Sequence, residues 1–169
     1  MNDHNPYAPP KAEVRDAPVP AYTGELASRG SRLIASIVDA VIAAFITFPL
    51  MFLTGYWQRA IARDPDILGL GLGITAAAFV AFVVIHGRWL AKHGQTVGKR
   101  LVGIRIVNVS DDRVPTLATT LGKRYGVMWL VSLIPNVGPV VSLVDDLLIF
   151  RGDRRCLHDL IAGTKVINV

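Results

Sequence analysis

Hydrophobic residues are concentrated in three long stretches of the chain. The first, residues 33–53, contains a single charged residue, Asp39, and the second, residues 67–85, contains none. An α-helix needs about 20 apolar residues to cross the roughly 30 Å hydrocarbon core of a bilayer. The pattern therefore predicts two full membrane spans, over about residues 33–53 and 67–90.

The third stretch, residues 125–150, is interrupted by the sequence IPNVGP at residues 134–139. Proline removes a donor from the helical hydrogen-bond ladder and clashes with the preceding turn, so two helical pieces are expected, over about 116–134 and 138–150. They form either a tight hairpin across the membrane or a shallow re-entrant pair. Both arrangements return the C-terminus to the side from which the third stretch starts.

Two short segments outside the apolar stretches have the composition of β-strands. Residues 104–109 are rich in β-branched side chains and end at a Ser-Asp-Asp turn signal, and residues 164–169 (TKVINV) follow a glycine. We expect these segments to pair with each other in the cytosol.

The expected fold is an all-α membrane protein: a small helical bundle of about four hydrophobic segments (two full spans plus the Pro-broken helical pair), with two short cytosolic β-strands.

Composition agrees with a membrane protein rather than a soluble domain. Hydrophobic residues make up 51% of the 169 residues and charged residues 18%, whereas a soluble domain carries about 25% charged residues. Residues 1–26, rich in Pro, Ala and charge, are predicted to form a disordered cytosolic tail, which leaves residues 27–169 as the membrane domain. Cys156 is the single cysteine, so an internal disulfide is excluded.

The distribution of charge predicts the orientation. Residues 92–124 contain seven Lys or Arg and two Asp, a net charge of +5, and Lys and Arg in short loops mark the cytoplasmic side of a membrane protein. With two spans before this segment and a returning pair after it, both termini are predicted to be cytoplasmic. Beside membrane spans, Lys99, Arg100 and Arg105 are expected to contact anionic lipid headgroups rather than nucleic acid.

Asp39 is the main candidate for chemistry because it lies within the first apolar stretch. It follows Arg32 by about two helical turns, roughly 10 Å along the axis. A carboxylate at this depth costs about 2.5–3.5 kcal/mol, so it must be paired, hydrated or protonated. Arg32 leans away toward the headgroups, so a partner from another segment is expected, such as Arg88, a hydroxyl or water. Asp39 is either a proton or cation site or a structural polar lock between helices.

Three further polar residues are secondary candidates. Asp145 and Asp146 lie near the cytoplasmic end of the last helical piece, where an ion-paired helix end with Arg151 and Arg154 is the favoured interpretation. His158 lies in the segment that follows, and its charge changes near neutral pH. It is therefore a candidate for pH sensing.

No constellation in the sequence points to an enzyme, a metal or a cofactor. The tract GQTVGKR at residues 94–100 has three residues between its glycines, where a phosphate-binding loop has four, and Arg100 replaces the Ser or Thr that binds magnesium. His158 and Asp159 point to different faces of a helix, and the sequence offers no further metal ligands nearby. No pair of nucleophile and base is visible. We therefore expect a non-enzymatic protein with no cofactor and no metal.

Three separated motifs carry a family resemblance: RLIASIVD at 32–39, GQTVGKRLVGIRIV at 94–107 and HDLIAGT at 158–164. In this order they resemble the RDD family of bacterial membrane proteins, which is named for one arginine and two aspartates. The resemblance assigns the arginine to Arg32, the first aspartate to Asp39 and the second to Asp159, with Asp145 as the weaker choice. It implies a multi-pass protein of the bacterial inner membrane that transports an unidentified ligand.

Two functions remain open at this point. In the first, the protein transports or couples ions, Asp39 binds a proton or cation, and Arg32 tunes the cytoplasmic entrance. A small bundle cannot enclose a large substrate path, so this function needs a homo-oligomer or another membrane protein as partner. In the second, the protein is a non-enzymatic adaptor or assembly factor, and the Arg and Asp residues are structural.

Overall fold

The computed structural model describes residues 24–134 and 136–169. The helices and strands follow one another as α1 Arg29–Leu53, α2 Tyr56–Ala62, α3 Ile67–His93, α4 Val97–Val102, β1 Ile104–Asn108, a π-helix Thr119–Gly126, α5 Val127–Ser132, α6 Val137–Leu147, a 3-10 turn Leu148–Phe150, α7 Leu157–Ala162 and β2 Thr164–Asn168. The chain is therefore mainly helical with one small sheet, as the sequence predicts. Most of the predicted tail, residues 1–23, lies outside the described residues.

In the described part of the chain, two helices are long and apolar enough to cross a membrane, namely α1 and α3. In their most apolar windows only 6% and 0% of the residues are buried inside the protein. The core helix of a soluble protein would be mostly buried, whereas these helices turn side chains such as Phe45 (78% exposed) and Leu53 (85% exposed) outward. Both helices fit a membrane environment.

The two predicted strands pair, and this prediction is confirmed. Strands β1 and β2 run antiparallel, with Ile104 opposite Asn168 and Asn108 opposite Thr164. On its other edge β2 bonds to the residues before α1, because the amide of Ala27 donates to the carbonyl of Val166 at 3.0 Å. The start of α1, the end of α3 and the C-terminal strand therefore meet at one end of the helix pair.

The third apolar stretch folds into two short helical pieces separated at residues 134–136. The π-helix and α5 form the first piece, and α6 and the 3-10 turn form the second. Gly138 allows the two pieces to approach closely, since a Cβ there would lie 2.8 Å from the carbonyl oxygen of Ser132. Each piece is roughly 20 Å long at about 1.5 Å per residue, which is less than the 30 Å of a bilayer core. The count of four hydrophobic segments stays a prediction.

The core lies where the sheet meets the ends of α1 and α3. It contains Ala35 and Leu90 from the two long helices and Ile104, Ile106 and Val166 from the strands, all of them 1% exposed or less. Burial of these side chains joins the two long helices to the sheet, and it brings the charged residues near the start of α1 and in α7 into the same region.

Candidate functional site

Asp159 is the centre of a buried charge network. Its side chain is fully buried and accepts hydrogen bonds from Arg32 of α1 and Arg124 of the π-helix. The hydroxyl of Thr164 lies 3.2 Å from the same carboxylate, and the amide of Cys156 donates to it at 3.2 Å. Asp159 therefore connects the N-terminal ends of α1 and α7, the π-helix and β2 through one side chain.

Local sequence explains how Asp159 reaches this position. It is the third residue of α7, and its bond to the amide of Cys156 closes the first turn of that helix. Burial by itself would raise the pKa of Asp159, but the positive charges of Arg124 and Arg32 outweigh burial and hold its pKa well below the usual range. The carboxylate is therefore ionised at physiological pH, and its charge is compensated inside the protein.

Arg124 is a central residue of this network that the sequence did not single out, because there it stands only as one of several basic loop residues. The π-helix turns it inward, where it is 2% exposed and donates to Thr164 at 2.7 Å. Gly126 permits this geometry, because a Cβ there would lie 2.7 Å from the carbonyl oxygen of Leu121. Short π-helical segments occur frequently at functional sites. The available signal was position, since Arg124 precedes the third apolar stretch as Arg32 precedes the first.

His158 extends the network to α6. Its Nδ1 lies 2.7 Å from Oδ2 of Asp145, and its backbone amide donates to Oδ1 of the same residue at 2.9 Å. On the other side, Nη2 of Arg124 lies 3.0 Å from Nε2. Arginine only donates, so Nε2 accepts and the proton of the neutral imidazole is on Nδ1. Burial and the positive charge of Arg124 lower the pKa of His158, against the opposing effect of Asp145.

The interpretation of Asp145 and Asp146 as an ion-paired helix end is wrong. Asp145 is buried and bonds to His158, whereas Asp146 is exposed. The arginines expected as partners are engaged elsewhere: Arg151 pairs with Asp153 at 3.2 Å, and Arg154 donates to the carbonyl of Leu26 at 3.1 Å. The packing of α6 on α7 selects one acid of the pair for the interior.

Asp39 forms a second centre, separate from the Asp159 network. Its carboxylate accepts from the hydroxyl of Thr96 at 2.5 Å and from the amide of Gly98 at 2.8 Å. The adjoining amide of Val97 donates to Nδ1 of His86 at 3.2 Å. The first-turn amides of α4, which have no partner within that helix, are thus bound by side chains of α1 and α3. Among the partners that the sequence suggests for Asp39, the structure shows a hydroxyl, that of Thr96.

Arg88 is not the partner of Asp39. Its side chain is exposed, and the donors to the carboxylate come from the turn before α4 and from its first residues. The glycines of the same tract have steric roles. A Cβ at Gly98 would collide with the carbonyl oxygen of Ala35 and lie 2.9 Å from Oδ1 of Asp39. Gly94 has φ +63° and faces the carbonyl oxygen of Ile106. The tract therefore serves close packing of α4 against α1.

A small cavity of about 30 Å³ lies between α1 and α3 beside Asp39. Its lining combines Asp39 and His86 with six apolar residues, Ile42, Ala43, Ile46, Ala78, Phe82 and Ile85. A cavity needs about 10–15 Å³ to hold one water molecule. The site therefore has room for a water-sized occupant next to a carboxylate and an imidazole, within a pair of helices that fit a membrane.

Comparison with known proteins identifies the family. The family model described as the RDD family matches residues 26–163. The chain belongs to the RDD family. Of the three residues that the resemblance assigns to the family's name, Arg32 contacts Asp159 and Asp39 contacts α4, so the three do not form one cluster. The resemblance noted in the sequence is confirmed.

Relatives of this RDD chain include proteins of Bacillus subtilis and Haemophilus influenzae. A Bacillus subtilis (strain 168) protein described as "Uncharacterized protein YckC" is 34% identical over 136 residues, which cover 80% of this chain and 80% of that protein. A Haemophilus influenzae protein described as "Uncharacterized protein" is 26% identical over 162 residues, which cover 92% of this chain and 86% of that protein. No solved structure matches the chain.

The basic residues expected at lipid headgroups of this RDD protein have different environments. Arg100 is exposed and its guanidinium lies 3.6 Å from the ring centroid of Trp89, a cation–π contact. Lys99 is half-buried. Arg105 lies in β1 and is only 8% exposed, which does not favour the expected contact with headgroups.

Asp145, Cys156 and His158 bring three possible metal ligands within 4.8 Å of one another, which sequence proximity did not indicate. Guanidinium groups already contact two of these residues: Arg124 bonds to Nε2 of His158, and Arg32 lies 3.4 Å from the sulfur of Cys156. A metal on Nδ1 would move the imidazole proton to Nε2, where it would face Arg124. Burial raises the pKa of the Cys156 thiol to about 11. These residues fit a hydrogen-bonded network better than an ion.

Proposed function

We propose that this RDD chain is a multi-pass protein of the bacterial inner membrane that couples a proton or ion to the transport of an unidentified substrate. Asp39 is the ionisable group in this proposal. The observation that carries it is the position of Asp39 and His86 on one cavity between two apolar helices. Ionisable residues within membrane-spanning helices are expensive, and they commonly mark proton or ion pathways.

The bonding of the two acids supports Asp39 rather than Asp159 as the coupling group. Asp159 is bonded to two guanidinium groups, so adding a proton would leave two buried cations uncompensated. The donors to Asp39 in the described part of the chain are a hydroxyl and a backbone amide. Neither donor carries a charge, so protonation of Asp39 breaks no ion pair with them.

The proposed topology has two crossings, α1 and α3, and cytoplasmic N- and C-termini. Pairing of β2 with both β1 and the residues before α1 supports termini on the same side, and the basic charge of residues 92–124 supports the cytoplasmic side. The short pieces on either side of residues 134–136 favour the shallow re-entrant pair over a complete hairpin crossing.

Lipid and a second protein subunit are the proposed partners. Arg100, stacked on Trp89, and Lys99 would contact anionic headgroups at the cytoplasmic surface. Two spans cannot enclose a substrate path, so the working unit would be a homo-oligomer or a complex with another membrane protein. We propose no enzymatic activity, cofactor, metal or nucleic acid for this chain.

Ion flux in proteoliposomes tests the function. Wild-type protein should carry a proton or sodium flux, and Asp39→Asn should lose it, while the amide oxygen of Asn still accepts the bond from Gly98. Asp66→Asn is the matched control, because Asp66 is an acid at the start of α3, where its side chain makes no capping bond. Absence of flux from well-inserted wild-type protein would contradict the proposal, as would full flux from Asp39→Asn.

The second candidate is a non-enzymatic membrane adaptor or assembly factor. The dense bonding of Asp159 to α1, the π-helix and β2 favours it, because such a network serves as a structural lock. In that case neither proton nor sodium flux would appear, and Asp39→Asn would change insertion or unfolding stability instead. The same reconstituted samples therefore distinguish the two functions.

A further inference from the structure

His158 joins the two helical pieces on either side of residues 134–136 to the C-terminal segment. Through Nδ1 it contacts Asp145 on α6, and through Nε2 it contacts Arg124 on the π-helix. Helix α7, which carries His158, continues through Gly163 into β2 and so into the sheet. One imidazole therefore links α7 to both pieces, with one ring nitrogen for each.

The two links respond oppositely to a proton. In the neutral imidazole, Nε2 has a lone pair that accepts from Arg124 at 3.0 Å. A proton on Nε2 removes this lone pair and sets two cationic donors against each other. The bond from Nδ1 to Asp145 persists and becomes charge-assisted. Protonation thus weakens the link to the π-helix and strengthens the link to α6.

We propose that His158 is a proton-operated latch: when neutral it bonds to Arg124 of the π-helix, and when protonated it loses this bond while Arg124 stays paired with Asp159. The occupant is a proton, which can reach the imidazole because the His158 side chain is 21% exposed. The proposal does not depend on the function of Asp39, because the latch contains none of the groups that contact that residue.

The surrounding charges define a second arrangement for the released state. Six titratable or charged groups surround His158 in the described part of the chain. Helix α6 contributes Asp145 and Asp146, and the π-helix contributes Arg124. The others are Asp159, which follows His158 in the chain, Cys156, two residues before it, and Arg32 of α1, which bonds to Asp159. Oδ2 of Asp159 lies 3.8 Å from Nε2 and can accept the new N–H after a small ring movement. Arg124 keeps its bonds to Asp159 and Thr164, so the loss of its bond to His158 shifts the π-helix locally and does not separate it from α7.

Trp129 provides a native reporter of the latch. It lies in α5, directly after the π-helix, and its ring centroid is 4.6 Å from that of Phe79 on α3. A shift of the π-helix changes this contact and with it the fluorescence of Trp129. Replacing Trp57 and Trp89 by Phe leaves Trp129 as the only tryptophan of the full-length chain in lipid nanodiscs.

The experiment is a fluorescence titration from about pH 8 to about pH 5. The reporter protein should show one transition with a midpoint below the ordinary histidine pKa of about 6.5. His158→Asn should abolish it, since the Asn amide nitrogen can still donate to Asp145 but does not titrate. His86→Asn and His93→Asn are matched controls, and both should keep the transition.

Asp145→Asn is the second variant, and it tests direction. Loss of the carboxylate charge removes an attraction for the imidazolium, so the midpoint should move to lower pH by about one unit or more. A flat titration of the reporter protein, a transition that survives in folded His158→Asn, or an unchanged or raised midpoint in Asp145→Asn would each overturn the latch.

Discussion

Replacing Asp159 by Asn is the strongest test of the buried charge network. The side chain of Asp159 is 0% exposed, and its two partners Arg32 and Arg124 are 8% and 2% exposed. Asn has nearly the same shape but no charge, and its NH₂ group faces guanidinium donors. Removing one partner of a buried ion pair costs about 3–5 kcal/mol because a charge is left uncompensated. Asp159 compensates two such charges, so we expect the upper end, about 5 kcal/mol.

Reversible unfolding in mixed detergent micelles measures this cost as a change in the free energy of unfolding. Asp146→Asn is the matched control, since Asp146 is an exposed acid of α6, and its change should stay within about 0.5 kcal/mol. Adding Arg124→Met to Asp159→Asn should recover part of the loss, because one unpaired charge is removed with it. A loss below about 1 kcal/mol for Asp159→Asn, or fully additive losses in the double variant, would refute the reasoning.

Acid unfolding provides a second readout of the same residue. The two arginines hold the pKa of folded Asp159 below the unfolded value, which is about 3.9. As pH falls below that value the unfolded chain takes up its proton first, so this contribution is complete above about pH 4 and is lost progressively below it. The wild-type protein should therefore lose more stability in this range than Asp159→Asn does.

Two further outcomes are expected from the packing. Gly98→Ala should lower the free energy of unfolding by about 1–3 kcal/mol, because the added Cβ collides with the carbonyl oxygen of Ala35. The control Gly122→Ala has open space around its Cβ and should not lower it. Equal losses in both variants would contradict the close approach of α4 to α1. Alkylation of Cys156 near pH 8 should be at least about 100-fold slower in the folded protein than in the unfolded chain, because its pKa of about 11 leaves little thiolate; similar rates in both states would show that the thiol is neither buried nor perturbed.

Local patterns predicted several elements of this fold, but not the short helices α2 and α4 or the π-helix. The length of each apolar run predicted α1 and α3, the IPNVGP sequence predicted the break between the last two helical pieces, and β-branched segments predicted β1 and β2. These features depend on residues that are neighbours in the chain, where helix length, proline chemistry and strand composition act directly. The family motifs are likewise short and contiguous.

The bonding partners of the charged side chains could not be predicted from such local patterns. Arg32 and Asp159 are separated by 127 positions, and Thr96 and Asp39 by 57. An arginine can be paired, exposed or buried in a strand, and Arg124, Arg88 and Arg105 illustrate this range here.

The sequence alone thus predicted two apolar helices of membrane length, a broken third stretch, a pair of short strands and membership of the RDD family. Tertiary structure decided which of these residues meet. It separated Asp39 from Arg32, brought Arg32 and Arg124 to Asp159, and assigned Asp145 rather than Asp146 to the interior. The physical reason is that a buried charge requires a partner, and packing of distant segments determines which partner lies within bonding distance.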